Sequence, residues 1–263
     1  MIGSVTFEMD RLMKTLKEIQ PEMNKGMKTV VKDAAKVVVR KAIEMTPPGS
    51  NTVQGQAAKK RGEKKIGSDI RRVFATASYA YGTIKNKVKA DAFWSLVKGK
   101  KKNLFDAQRI MEEESSNQRL RQAEVVENPD FTIHQRMRKR GTVPKSQRVL
   151  QVIGSDSKRG SLETYIKATQ RKVGIWAAGW MPSVAKLKVS RIPAWVKRHA
   201  SKGRGRCIIS ENRDTFKIEM ANSTGFGSLS KILPYALAGA RGAMIKSAEV
   251  IKARSLAKAG LKK

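Results

Sequence analysis

The stretch that decides the fold is residues 21–48, PEMNKGMKTVVKDAAKVVVRKAIEMTPP, which reads as one long helix beginning at Pro21. Its apolar side chains recur every three or four residues: Met23, Met27, Val30, Ala34, Val38 and Met45. The opposite side carries a basic stripe of five cations, Lys25, Lys28, Lys32, Lys36 and Arg40. Like charges four residues apart destabilise a helix by roughly a few tenths of a kcal/mol per pair. Either water and counterions screen the stripe, or an anionic surface lies against it.

The composition of the whole chain also favours an anionic partner. Its 263 residues include 55 Lys and Arg against 22 Asp and Glu, for a formal net charge of +33. Charge of this size opposes compaction, so a polyanion or an acidic protein surface is the expected partner. The single cysteine excludes an internal disulfide framework. The N-terminal sequence predicts no secretory signal, and the apolar runs are too short to predict a membrane span.

The segments around the long helix indicate a mixture of strands and helices. Residues 4–10 predict a strand, and residues 12–19 predict a short helix that ends at Pro21. Residues 49–68 are rich in Gly, Ser and Lys and predict a mobile loop. Residues 69–82 predict a further strand followed by a turn.

The rest of the chain predicts an inserted segment and then a return to order. Residues 85–145 alternate basic and polar runs and predict an inserted basic arm or extended loop. Residues 162–180 predict an amphipathic helix, residues 207–220 a hairpin, and residues 233–260 a helix rich in small residues. The expected class is α+β, with a small, mostly antiparallel sheet packed by a long N-terminal helix and further helices. The expected divisions are an N-terminal part of the core (1–84), the inserted arm (85–145) and a C-terminal part of the core (146–263).

Candidate catalytic groups are few. His134 and His199 lie far apart in sequence, and a thiol catalyst would require Cys207, His199 and Asp214 to meet. No Cys or His pair has the spacing of metal ligands. The run GRGR at 203–206 lacks the Gly-Lys-Ser/Thr ending of a P-loop and reads as a basic hairpin loop. We therefore expect neither an enzyme nor a cofactor or metal site.

The tryptophans allow two interpretations. Trp176, Trp180 and Trp195 could stack on the bases of a single-stranded nucleic acid. Their helical spacing instead favours packing in the core. No recognition helix, zinc finger or RNA-binding signature accompanies them, so any contact with nucleic acid is expected to be mainly to phosphate.

Several segments together resemble a family of tailed-bacteriophage neck proteins, the head–tail joining or tail-completion proteins often described as minor tail proteins. The resemblance begins with VTFEMDRLMKTLKEIQPEMNKGMKTVVKDAAKVVVRKAIEMTPP at residues 5–48 and continues in GIWAAGWMPSVAKL, IPAWVKRH and LPYALAGA. It covers roughly residues 1–84 and 162–260. Two features depart from the family pattern: a Lys-rich segment follows the prolines, and residues 85–145 have no counterpart.

The resemblance implies a structural protein of the virion, located at the head–tail junction after assembly in the host cytoplasm. It implies an α+β domain with the long helix across a small sheet, a homo-oligomeric ring, and no catalysis. The implied partners are other neck and tail proteins, of the adaptor, stopper or tail-terminator type, with non-specific DNA contact and no membrane.

The basic side chains are the candidate contacts with such an anionic partner, whether DNA or an acidic neighbour. They comprise the basic stripe and two clusters in the predicted arm, together with two arginines of the predicted hairpin. The residues are Lys25, Lys28, Lys32, Lys36, Arg40, Lys98, Lys100, Lys101, Lys102, Arg136, Arg138, Lys139, Arg140, Arg204 and Arg206.

The main alternative is a sequence-independent nucleic-acid-binding protein, such as a packaging, chromatin-like or ribosome-associated factor. It accounts for the net charge directly and predicts a steep dependence of binding on salt. It does not account for the order of elements in residues 1–48. An enzyme would need a cluster of catalytic groups that the sequence does not suggest, and a membrane-surface protein would need a more apolar C-terminal helix.

Overall fold

The computed structural model describes residues 9–99, 102–139, 143–154, 162–211, 216–224 and 233–258, without the side chains of residues 9–25, 139, 233, 256 and 258. The first elements in chain order are α1 (Met9–Met45), α2 (Gly55–Arg71), β1 (Phe74–Thr76), α3 (Ala77–Tyr81), α4 (Lys87–Lys98), α5 (Leu104–Glu114), β2 (Glu124–Val126), α6 (Thr132–Lys139) and β3 (Gln151–Ile153). They are followed by α7 (Leu162–Gln170), α8 (Ile175–Ala178), α9 (Met181–Leu187), α10 (Ala194–Lys197), a 3-10 turn (Ala200–Lys202), β4 (Gly205–Glu211), β5 (Phe216–Asn222) and α11 (Leu233–Lys258).

The protein has the predicted α+β class, and its strands form two separate sheets. One is a three-stranded parallel sheet in the order β1-β3-β2, and the other is the antiparallel pair β4-β5. The antiparallel part of the prediction therefore holds for the hairpin alone. The chain divides into two compact units, unit 1 with residues 1–59 and 174–263 and unit 2 with residues 60–173.

Unit 1 is built on the pair of long helices α1 and α11, which run antiparallel. At one end Gly26 lies against Ile251, and at the other Gly239 lies against Val37 and Lys41. A Cβ atom on Gly26 would lie 2.5 Å from the Ile251 side chain, so the lack of a side chain allows this close contact, whereas one on Gly239 would lie at an ordinary 3.6 Å from Val37. The hairpin β4-β5 and helix α9 also contact α1.

The long helix begins earlier than predicted. Helix α1 is one continuous element of 37 residues that passes through Pro21, where the sequence indicated a boundary between two helices. Proline removes one backbone hydrogen bond from a helix, but α1 continues without interruption before and after Pro21. Residues 1–8, which hold most of the predicted first strand, lie outside the described residues.

Unit 2 encloses its own hydrophobic core around the parallel sheet. Phe93, Val97, Met111, Leu120 and Val152 are all fully buried there. Asn86 and Asn103 cap helices α4 and α5 by accepting hydrogen bonds from the backbone N–H groups three residues on. Parallel strands need long crossover connections, and the helices of this region supply them.

The structure differs here from the predicted inserted arm over residues 85–145. That segment forms α4, α5, β2 and α6, and it contributes Phe93 and Leu120 to the core. Strand β1 pairs with β3 in the register Phe74↔Gln151, so segments on both sides of the predicted arm fold together with it. The many charged residues of this segment made its few buried apolar residues hard to recognise in the sequence.

The predicted mobile loop over residues 49–68 is also wrong, because most of it belongs to α2. Ala, Lys, Glu and Arg are good helix formers, and they outweigh the glycines of this segment. Gly67 is buried within α2 and faces Ile166 and Gln170 of α7.

The predicted helix over residues 162–180 is divided into α7 and α8, and α9 begins directly after it. The break is at Gly174, whose φ of 105° is a left-handed conformation that favours glycine. A side chain there would also meet Trp195, since a Cβ atom would lie 2.4 Å from its carbonyl oxygen. The predicted hairpin is confirmed, with Cys207 paired to Met220 and Ile209 to Ile218.

Candidate nucleic-acid and protein interface

The basic stripe of α1 is largely engaged by the chain itself. Lys28 forms a salt bridge with Glu211 of β4, and Lys36 forms one with Asp33, with 2.9 Å between Nζ and Oδ1. Nζ of Lys32 lies 5.4 Å from the centre of the Phe216 ring, which is a cation–π contact. Three of the five cations thus have partners within unit 1.

These contacts show that groups of the chain itself lie against the basic stripe. The hydrogen bond and charge of Lys28 hold the pKa of Glu211 below its usual value, with a smaller contribution from Lys32. The hairpin β4-β5 therefore supplies a carboxylate and an aromatic ring to the basic side of α1. The side chain of Lys25 lies outside the described residues, and Arg40 lines a cavity described below.

The first basic cluster of unit 2 is also partly engaged. Lys98 lies over the Trp94 ring at 5.3 Å from its centre, and Lys102 pairs with Glu127. Lys100 and Lys101 lie outside the described residues.

The second cluster of unit 2 lies on and next to α6, the helix that carries the buried His134. Arg136 lies 3.7 Å from Asp130, a carboxyl whose pKa is lowered first by hydrogen bonds from Thr132 and further by this arginine. Arg138 is half-buried, and its charge adds to the effect of burial in lowering the pKa of His134. The side chain of Lys139 and all of Arg140 lie outside the described residues.

His134 is part of an aromatic cluster that stabilises unit 2. Its Nδ1 lies 3.0 Å from the Tyr165 hydroxyl, and the Tyr165 ring stacks on Phe131 at 4.0 Å between centres. His134 is 1% exposed, and burial lowers its pKa from 6.5 to about 4. The neutral imidazole is a structural member of this core.

The two arginines of the hairpin are exposed on the surface. Arg206 lies on β4, where it contributes to lowering the pKa of Glu219, an effect due mainly to Lys217. Arg204 precedes the strand, and its backbone N–H donates to Thr224 Oγ1 at 2.7 Å. A Cβ atom on Gly205 would lie 1.9 Å from the Gly179 carbonyl oxygen, so this glycine serves close packing. The predicted hairpin loop at 203–206 is thus partly strand.

A second basic surface, which was not predicted from the sequence, lies on α2. We call it the basic face of α2, and it consists of the exposed side chains of Lys60, Arg61, Lys64 and Lys65. Within the part of the chain that the structure describes, these four side chains show no ion pair and no hydrogen bond. Neighbours one turn apart on a helix lie about 6 Å from each other, so the face concentrates positive charge. The helical spacing of the four cations was visible in the sequence, but the segment was assigned to a loop.

The buried side of α2 fixes the orientation of its basic face. Ala58, Ile66 and Ile70 are buried, and they recur at spacings of four and eight residues. The buried carboxylate of Asp69 accepts a hydrogen bond from Arg72 Nη1 at 3.1 Å, and the same nitrogen donates to the Val143 carbonyl. A helix anchored on one side in this way presents its opposite side to solvent.

The other candidate groups have mainly structural contacts. Trp180 and Trp195 are buried, as the core interpretation predicted, and Trp180 Nε1 donates to Thr46 Oγ1 at 3.1 Å. The core interpretation is wrong for Trp176, which is 41% exposed. Cys207 is buried on β4, and Asp214 lies outside the described residues.

Neither a metal cluster nor a membrane-spanning helix is found in the part of the chain that the structure describes. No three His, Cys, Asp or Glu side chains there are grouped so that they could hold a metal ion. No helix there is both long enough and apolar enough to cross a bilayer. Comparison of the chain with protein-family models, with curated proteins and with solved structures found no match.

Proposed function

We propose that this protein is a structural component of the neck of a tailed phage, where it helps to complete the tail and join it to the DNA-filled head. The observation that carries the proposal is the basic face of α2, four cations on an anchored helix without an anion among the described residues. In a neck ring this face meets either the DNA in the channel or an acidic surface of the adjoining ring.

The architecture of unit 1 supports the same proposal. The resemblance implies a long N-terminal helix packed across a small antiparallel sheet, and α1 contacts the hairpin β4-β5. The pairing of Lys28 with Glu211 strengthens that contact. This likeness is one of element order and packing, and it carries no catalytic residues with it.

Exposed apolar side chains on the two long helices support assembly with other protein subunits. Met27 of α1 and Tyr235, Leu237, Ile245 and Val250 of α11 are each about half exposed. Where such side chains form a contiguous patch, the patch is typical of a protein contact surface. A homo-oligomeric ring, with adaptor, stopper or tail-terminator type rings as neighbours, would cover them.

Localisation tests this proposal. The protein is tagged after Lys263 and purified particles are imaged by electron microscopy with gold label. We expect the label at the head–tail joint. Absence of the protein from particles would contradict the proposal.

A sequence-independent nucleic-acid-binding protein is the second candidate, and the basic face of α2 favours it equally. DNA binding alone does not separate the two functions, since a neck protein can also touch the genome. Recovery of the protein only with free nucleic acid would favour this second candidate. Recovery in intact particles would favour the neck.

A further inference from the structure

A cavity of about 350 Å³ lies in unit 1, beside the C-terminal part of α1. Its lining includes Arg40 and Glu44 of α1, Gln54 and Gly55 at the start of α2, and Arg191 in the segment before α10. Its volume is at the lower end of the range for pockets that bind small ligands. Two arginines, Arg40 and Arg191, therefore line one small cavity.

Among the described residues, Arg40 has no counterion, although a carboxylate lies one helical turn away. Glu44 is four residues from Arg40, a spacing at which ion pairs form, but it bonds to Lys41 with 3.0 Å between Nζ and Oε2. Nε of Arg40 is buried and has no hydrogen-bond acceptor in the described part of the chain. A buried donor without an acceptor destabilises the protein, and an anion in the cavity would remove that cost.

Arg191 is held at the cavity by an unusual backbone. Its φ is 61°, a left-handed conformation that residues other than glycine rarely adopt. Ile192 is buried directly after it, and Pro193 precedes α10, so the following chain fixes this geometry. Backbone conformations of this kind are concentrated at ligand-binding positions.

The start of α2 adds a third source of positive potential. Gly55 opens the helix with a φ of 58°, and the first turn contains no acidic residue. The first N–H groups of a helix have no acceptor within the helix and attract anions. Since Glu44 is already neutralised by Lys41, the charge that remains at the cavity is that of the two arginines.

We infer that this cavity binds a phosphate group. The residues that line it come from α1, from the start of α2 and from the segment that carries Arg191. The oxygens of a phosphate point in several directions and can accept from all three, whereas the two oxygens of a carboxylate lie in one plane. Arginine also forms paired hydrogen bonds with phosphate. The inference concerns unit 1 alone and does not rest on the proposed neck function.

The experiment is a calorimetric titration of the full chain with inorganic phosphate. We expect saturable binding that becomes roughly tenfold to a hundredfold weaker in Arg40→Gln and in Arg191→Gly, because each removes charged hydrogen bonds. Glycine adopts a positive φ without strain, so Arg191→Gly preserves the fold even if Arg40→Gln does not. Lys246→Gln, on the exposed surface of α11, removes one charge away from the cavity and should bind as the unchanged protein does.

Either of two results in this titration would overturn the inference, and a comparison with acetate supplies a third. One is the absence of phosphate binding, and the other is equal binding by the unchanged protein, Arg191→Gly and Lys246→Gln. Stronger binding of acetate than of phosphate would also contradict it.

A second titration with duplex DNA as competitor identifies the source of the phosphate. Loss of phosphate binding in the presence of DNA supports a phosphodiester of nucleic acid as the occupant. Unchanged phosphate binding supports a small phosphate compound.

Discussion

Helices α1 and α2 each carry a row of cations, but the two rows have different surroundings. On α1, Lys28 pairs with Glu211, and Lys32 lies over Phe216. On α2, the basic face has no such partners among the described residues, and the apolar side of the helix is buried. A row of charges in a sequence therefore predicts an anionic partner only when the rest of the fold leaves those charges unpaired.

The largest difference between the two rows is expected in DNA affinity. In Lys60→Gln/Lys64→Gln/Lys65→Gln, the slope of log affinity against log salt should fall by roughly 2 to 3, because each phosphate that a lysine neutralises contributes about 0.9. At about 0.1 M salt this weakens binding several hundredfold. Filter binding or fluorescence anisotropy with duplex DNA at several salt concentrations measures the slope.

The matched control for that variant is Lys28→Gln/Lys32→Gln/Lys36→Gln, which removes the same charge from α1. Its slope should change by less than about 0.9, the value for a single phosphate. Equal decreases of the salt slope in the two variants would show that the lysines of α1 and α2 contribute equally to DNA binding.

The second prediction concerns the burial that anchors α2. Ile70 is fully buried, so Ile70→Ala should lower the free energy of unfolding by about 2–5 kcal/mol. Ser68→Ala, on the exposed side of the same helix, should stay within about 0.5 kcal/mol of the unchanged protein. Urea unfolding followed by circular dichroism compares them. Similar effects in the two variants would mean that α2 is not anchored as described.

The third prediction uses acid to weaken unit 2, which carries most of α2. The pKa of His134 is lowered by burial from 6.5 to about 4, so the unfolded chain takes up its proton first as the pH falls. The contribution of neutral His134 to the free energy of unfolding should be fully present above about pH 6.5. It should decrease by up to about 3 kcal/mol as the pH falls towards 4.

Hydrogen exchange of the amides in α6 and α7 measures this decline. His134→Gln keeps a polar contact with Tyr165 but does not titrate, so its pH dependence should be much flatter. A decline of the same size in His134→Gln would assign the acid sensitivity to other groups.

The smallest expected effects distinguish single lysines of the two rows. Lys32→Gln removes a cation–π interaction and should lower the free energy of unfolding by about 0.5–1 kcal/mol with little change in the salt slope. Lys65→Gln should do the reverse, with stability within about 0.5 kcal/mol and a slope smaller by about 0.9. The free energy of unfolding and the salt slope are measured for both variants. A change of slope in Lys32→Gln together with a loss of stability in Lys65→Gln would contradict the assignment of DNA contact to α2.

Local patterns predicted the elements whose periodicity is strong. The apolar spacing in α1, the alternation around Cys207 and Phe216, and the small residues of α11 each led to the right element. The position of Trp180 and Trp195 in the core also followed from spacing.

The errors arose where a tertiary contact decides the role of a residue. Gly67 was taken as a sign of a loop, but it lies within α2 and faces α7. Gly174 interrupts the predicted helix although the apolar pattern continues in the sequence. Pairing of β1 with β3 gathers distant segments into unit 2, and no local signal indicates it. The partners Glu211 and Phe216 of the basic stripe lie about 180 residues from α1, so the sequence could not show that the stripe is engaged.

The most direct test is lysine acetylation of free protein and of protein in purified particles, quantified by mass spectrometry. The central claim is that the basic face of α2 meets the anionic partner. We predict that Lys60, Lys64 and Lys65 become less reactive in the particle, while Lys28, Lys32 and Lys36 react equally in both states. Protection of the three α1 lysines with unchanged reactivity on α2 would contradict the claim.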